Sequence, residues 1–140
     1  MPIREKIIFT GSRSDIPDLL DAMDMFTLAS VSEGFPNVLL EAMAMAKPMV
    51  AGRVGALADI VLHGETGLLV DPSAPTDLAQ AICTLLRSPA QARHMGVRGR
   101  DRVETCFSRQ RQVSDVLALY HRLRHDPSLA VILSPSHGSG

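Results

Sequence analysis

Short apolar runs of strand length alternate along this chain with segments whose apolar positions recur at helical spacing. Residues 6–10, 25–30, 48–51 and 66–70 read as strands, and the stretches between them as helices. Strand, helix and strand in repetition predict parallel strands joined by right-handed crossovers. The fold class is therefore α/β: a Rossmann-like open parallel sheet with helices on both faces, whose ligands bind beyond the carboxyl ends of the strands. After residue 73 the pattern turns wholly helical. Leu78, Ala81, Ile82, Leu85 and Leu86 form a core-facing stripe, and Pro89 opens a second helix through Ala92, Met95 and Val103. Ser108 is placed to cap a third, in which Val113, Val116, Leu117, Tyr120 and Leu123 recur as a structural stripe. From His125 the chain is rich in Pro, Ser and Gly apart from 129–133, so one domain over 1–124 and a flexible tail over 125–140 are expected.

The most specific segment runs from Ser32 to Ala46. Gly34 allows a sharp turn, and Pro36 suits a first helical turn because its φ is already helical and the N–H it lacks would be unpaired there. Helix is expected from near Pro36 through Ala46. Its side chains include Val38, Leu39, Leu40, Ala42, Met43 and Met45, which predicts a mostly buried helix with Glu41 as its one charge. Asn37 and Glu41, four apart, share a face, and Glu33 lies in the loop feeding the same end. Three polar groups then converge at a helix N-terminus, whose unpaired N–H groups favour anions. A narrow wet stripe on a buried helix would account for Asn37 and Glu41 without any chemistry, and spacing alone does not choose between the two.

Composition narrows the functional classes. A chain of 140 residues can bury one core but not two. A net charge of −1 with both signs interspersed, and the absence of Trp, argue against a nucleic-acid partner. Arg93, His94, Arg98, Arg100, Arg102, Arg109 and Arg111 are interrupted by Asp101 and Glu104 and read as a solvated face, with peripheral contact to a lipid surface or a partner as the minor alternative. Cys83 and Cys106 form no paired motif and read as reduced thiols in the core or near the surface, which suits a cytoplasmic location. No charged leader precedes an apolar stretch at Met1, and no apolar run is long enough to span a bilayer. No His, Cys or carboxylate cluster has ligand spacing, so no metal is expected; His63, with Gly64 and Gly67, reads as a turn residue. Neither Gly-x-Gly-x-x-Gly nor Gly-x-x-x-x-Gly-Lys-Ser/Thr occurs, which sets aside dehydrogenases and kinases of those classes.

The string Ser-x-x-Glu-Gly-Phe-Pro-Asn-Val-Leu-Leu-Glu-Ala-Met-Ala, starting at Ser30, resembles the signature of family 4 glycosyltransferases of the GT-B fold. The likeness extends from about residue 7 to 123. Phe9-Thr10-Gly11 and Met23-Asp24-Met25-Phe26 precede the signature, while Lys47-Pro48-Met49-Val50-Ala51 and Gly64-Glu65-Thr66-Gly67-Leu68-Leu69-Val70 follow it in the family's order. Gly55-Ala56 stands for a family Gly-Gly turn and Asp59 for a usual Glu, so that loop is a near match.

The resemblance implies the incomplete C-terminal, donor-binding half of a GT-B enzyme that moves a sugar, with retention, from a UDP- or GDP-linked donor and needs no cofactor. It implies that Glu33 meets the donor sugar as the catalytic residue and that Gly34, Phe35, Pro36, Asn37 and Val38 surround sugar and phosphate oxygens, with Pro36 donating nothing. Glu41 would accept bonds from the ribose hydroxyls, and Gly11 lies in the loop that meets the nucleobase. The family's basic diphosphate clamp and its N-terminal acceptor domain have no counterpart here, since Arg4 and Lys6 do not fit the clamp. Turnover by this chain alone is thus not expected, and the sheet should have an uncovered edge or face that could pair with another copy. The alternative is a non-catalytic nucleotide-sugar-binding or partner-docking module. A glycoside hydrolase using Glu33 and Glu41 ranks below both, because a carboxylate within a helix suits hydroxyl binding better than flanking a scissile bond.

Overall fold

The computed structural model describes residues 3–31 and 36–125. The chain divides into two compact units, Met1–Asp101 and Arg102–Gly140. In the first, a 3-10 turn at Ile3–Lys6 is followed by α1 (Ile16–Ala22), β1 (Phe26–Leu28), α2 (Asn37–Ala44), β2 (Met49–Gly52), α3 (Leu57–Ile60), β3 (Leu68–Val70) and α4 (Pro75–Arg87). α5 (Pro89–Cys106) runs from the first unit into the second, and α6 (Arg109–His125) lies in the second.

The three strands among the described residues form one parallel sheet in the order β1-β2-β3, with Phe26 opposite Met49 and Val50 opposite Leu68. All four residues of the central strand are buried. Side chains alternate across a strand, so burial of both Met49 and Val50 means that both faces of the sheet are covered. On the Val50 face, Val70, Ala81, Leu85, Ala92 and Met95 close one cluster with Leu78 and Ile82 beside it. The expected stripe of α4 is thus realised, except for Leu86, which is 59% exposed.

α2 ends where local geometry demands it. The N–H of Ala46 donates to Met43 O at 2.9 Å and that of Lys47 to Ala42 O at 3.0 Å, the paired bonds of a Schellman stop. Ala46 takes the left-handed conformation this stop needs, at φ 54°, a place usually given to glycine. The helix therefore closes at Ala44 rather than running through Ala46. The Lys47 Nζ donates to Asp21 O at 2.9 Å, tying this turn to the end of α1.

Two expectations are corrected. Residues 7–10 do not form a strand: Ile8 is 83% and Phe9 94% exposed. An apolar run becomes a strand only when a neighbour takes its N–H and C=O groups, and the described sheet ends at β1 without pairing with it. The recurrent apolar positions of α6 are exposed rather than packed, with Val113 at 53%, Val116 at 60% and Leu117 at 55%. Periodicity makes a helix amphipathic, but burial needs a second surface. The cap expected at Ser108 is present, its Oγ accepting from Arg111 N at 3.2 Å. Residues 126–140, which hold most of the expected tail, lie outside the described residues.

His63 has a part that its isolation in the sequence did not suggest. Its Nδ1 accepts the N–H of Leu69, in edge strand β3, at 2.9 Å, and His63 also bridges to Gly67. The same loop is closed by Thr66, only 2% exposed, whose Oγ1 accepts from Leu62 N at 2.9 Å. Replacing His63 with alanine strips one acceptor from a half-buried N–H, an expected loss of about 1 kcal/mol in urea unfolding. An unchanged midpoint would show that water serves Leu69 equally well.

Candidate functional site

Ligands of an open parallel sheet gather beyond the carboxyl ends of its strands, and those ends converge here on Gly52. A Cβ on Gly52 would lie 2.8 Å from Ser30 O and 3.3 Å from Pro72 Cβ, so the exits of β1, β2 and β3 touch at this point. Only glycine permits that approach. Gly52 lay unremarked in the sequence at the end of an apolar run.

From β1 the chain passes Ala29, Ser30 and Val31 and re-emerges at Pro36, which is buried. Glu33, Gly34 and Phe35 lie outside the described residues. Pro36 is the N-cap of α2, in an extended conformation with φ −81° and ψ 94°, and helix begins one residue later than the proline rule suggests. Among the described residues no side chain caps this end. The N–H groups of Asn37 and Val38, in the first turn, have no intrahelical acceptor, while that of Leu39 reaches Pro36 O at 3.0 Å.

α2 is half-buried rather than mostly buried. Leu39, Ala42 and Met43 are fully enclosed, Val38 and Leu40 are half-buried, and Asn37, Glu41 and Ala44 face solvent. Three inward positions at helical spacing fill the space against the sheet, and the opposite side is left open. Asn37 and Glu41 do share one face, as their spacing requires, and both are accessible to a ligand. Gly11 is exposed at φ 67° with nothing within 4 Å of an added Cβ, and beside it Arg13 pairs with Asp15, holding that carboxyl below the usual carboxylate range. The structure therefore gathers Pro36, Asn37, Val38 and Glu41 on the first turns of α2, and sets Gly11 in a loop of its own.

Past β3, the Asp71 carboxylate accepts from Ser73 Oγ at 2.6 Å and Ser73 N at 2.9 Å, bonds that lower its pKa. A hollow of about 400 Å³ lies at the other end of the sheet, among Asp24, Met25, Lys47, Pro48 and Arg93. Those residues border the starts of β1 and β2, so this hollow is not the site at the strand exits.

The family model described as glycosyl transferases group 1 matches residues 2–88, more than half of the chain. The chain belongs to this family. Among group 1 transferases it is similar to the N-acetyl-alpha-D-glucosaminyl L-malate synthase of Bacillus anthracis, 33% identical over 124 residues, covering 89% of this chain and 32% of that protein. It is 35% identical over 112 residues to the MMP alpha-(1->4)-mannosyltransferase of Mycolicibacterium hassiacum, covering 79% of this chain and 27% of that enzyme. In structure it resembles Anabaena HepE, solved in complex with UDP, with a TM-score of 0.74 at 28% identity over 83% of this chain and 33% of that one. The Rossmann-like sheet is thus that of a GT-B transferase. The chain spans about a third of the length of the curated relatives it matches. Among the described residues no helix is long and apolar enough to cross a membrane.

Proposed function

We propose that this chain is the donor-binding portion of a hexosyltransferase that takes a UDP- or GDP-linked sugar and passes the sugar to an acceptor with retention. The observation that carries the reading is the solvent-facing pair Asn37 and Glu41 on the first turns of α2, next to N–H groups that the helix leaves unpaired. Breaking a glycosidic bond to phosphate expels a diphosphate and leaves positive charge on the sugar. A helix start stabilises the first, and a carboxylate such as Glu33 suits the second. Glu41, open to solvent, offers two carboxyl oxygens that can accept two ribose hydroxyls at once. That the similar HepE was solved in complex with UDP supports a nucleotide-linked donor. Because the chain covers about a third of its relatives, we infer that it turns over little by itself; robust glycosyl transfer by the 140-residue polypeptide would contradict that part.

A thermal-shift panel of UDP- and GDP-sugars tests the donor site. Wild type is expected to gain stability with at least one donor, by about 2.7 kcal/mol at a hundredfold excess over Kd. Glu41→Ala should lose the gain for every donor alike, since the ribose is common to all of them. An unchanged shift would return Glu41 to a solvated surface position. The exposed Ile8 and Phe9 favour a second reading, a partner-docking module, which a defined dimer in sedimentation together with no affinity for any donor would support.

A further inference from the structure

A nucleoside diphosphate carries several negative charges, and a site that holds one gains from a cation as well as from N–H donors. In sequence, β1, β2 and β3 are followed by residues 29–36, 53–56 and 71–74. They contain a single basic residue, Arg53. It follows Gly52 at the end of the central strand and is exposed.

Its backbone is held on both sides. The N–H of Arg53 donates to Val70 O at 2.8 Å, and that of Val54 to Gly52 O at 3.0 Å. Gly52 is crowded by Ser30 O, so Arg53 stands one residue from the exit of β1 that leads towards α2. The register pairs Gly52 with Val70, which makes Asp71 the acid next in line to neutralise Arg53. Asp71 is already engaged by the hydroxyl and N–H of Ser73. Among the described residues Arg53 enters no ion pair, whereas Arg13, Arg98 and Arg111 each do.

We propose that Arg53 is the cation this chain supplies to the donor's diphosphate, an exposed guanidinium on the central strand's exit that grips phosphate oxygens and positions the leaving group. A planar fork of N–H donors meets two such oxygens at once, which an ammonium does not. The inference rests on the donor-site reading and adds to it the residue that reads the charge.

Isothermal titration of the 140-residue chain with UDP, GDP, uridine and guanosine, at low and high salt, tests it. Arg53→Gln should weaken diphosphate binding about ten- to a hundredfold, the range for a hydrogen bond to a charged group. Nucleoside affinity should stay as it was, the salt dependence of diphosphate binding should flatten, and Arg53→Lys should recover part of the loss. The variant should melt with wild type, because the side chain is exposed. Diphosphate binding by Arg53→Gln as tight as by wild type overturns the assignment and leaves the donor site standing. Equal losses for nucleoside and diphosphate overturn it too, as a structural effect. Failure of wild type to bind either diphosphate removes the donor site and Arg53 together.

Discussion

Gly96→Ala is expected to cost on the order of 3 kcal/mol, the upper range for overpacking a filled interior. A Cβ at Gly96 would lie 2.1 Å from Ala46 O, 2.9 Å from its carbonyl carbon and 3.2 Å from Pro48 N. All three atoms are backbone, so no rotamer can relieve the clash. The turn they belong to cannot yield readily either, because the Ala46 and Lys47 N–H groups fix it to Met43 O and Ala42 O and Ala46 is already left-handed. α5 must therefore move away from the turn, opening the cluster that contains Ala92 and Met95. For a chain of this size the loss corresponds to a fall in Tm of about 10 °C by calorimetry. Val97→Ala, at a neighbouring position that is 53% exposed, should stay within about 0.5 kcal/mol of wild type. Equal melting of Gly96→Ala and wild type would mean that α5 does not rest on this turn.

Leu39→Ala should remove about 3 kcal/mol and disturb ligand binding as well. Leu39 is 0% exposed and sits one turn from the N-cap of α2, so truncation leaves a cavity beneath the turn that presents Asn37 and Glu41. A helix that shifts to fill the space carries both side chains with it, and the stabilisation by nucleotide sugars should shrink along with the urea midpoint. Leu40→Ala is the comparison: that side chain is only half-buried, and its loss should be smaller. Were the two substitutions equally mild, the inward face of α2 would not be what anchors the site.

Much of the fold was legible because short-range patterns carry it. The apolar runs at 25–30 and 66–70 contain β1 and β3, the run at 48–51 covers β2 except Gly52, and the stripe through Leu78, Ala81, Ile82 and Leu85 anticipated the inner side of α4. Asn37 and Glu41 share a face because a helix with 3.6 residues per turn puts them there. The string from Ser30 to Ala44 named the family before any geometry was known, and the match over residues 2–88 bears it out. Other features depended on partners. Residues 7–10 have the composition of a strand without a neighbour to pair with, and Val113, Val116 and Leu117 keep helical spacing while exposed. Glycines illustrate the same limit: Gly11 and Gly96 look alike in sequence, yet one faces open space and the other a carbonyl oxygen.

By itself, then, the order of residues determined the family, the parallel α/β class, the position of the helix start near Pro36 and the common face of Asn37 and Glu41. Those are consequences of bond geometry and side-chain periodicity over a few residues. Only the tertiary structure decided that α2 turns Glu41 to solvent, that His63 serves the edge of β3, that Gly96 admits no side chain, and that Ser73 occupies Asp71 while Arg53 stands exposed at the exit of the central strand. Each of these turns on which groups from distant parts of the chain arrive within a few ångströms, and contact at that range is set by packing rather than by neighbours in sequence.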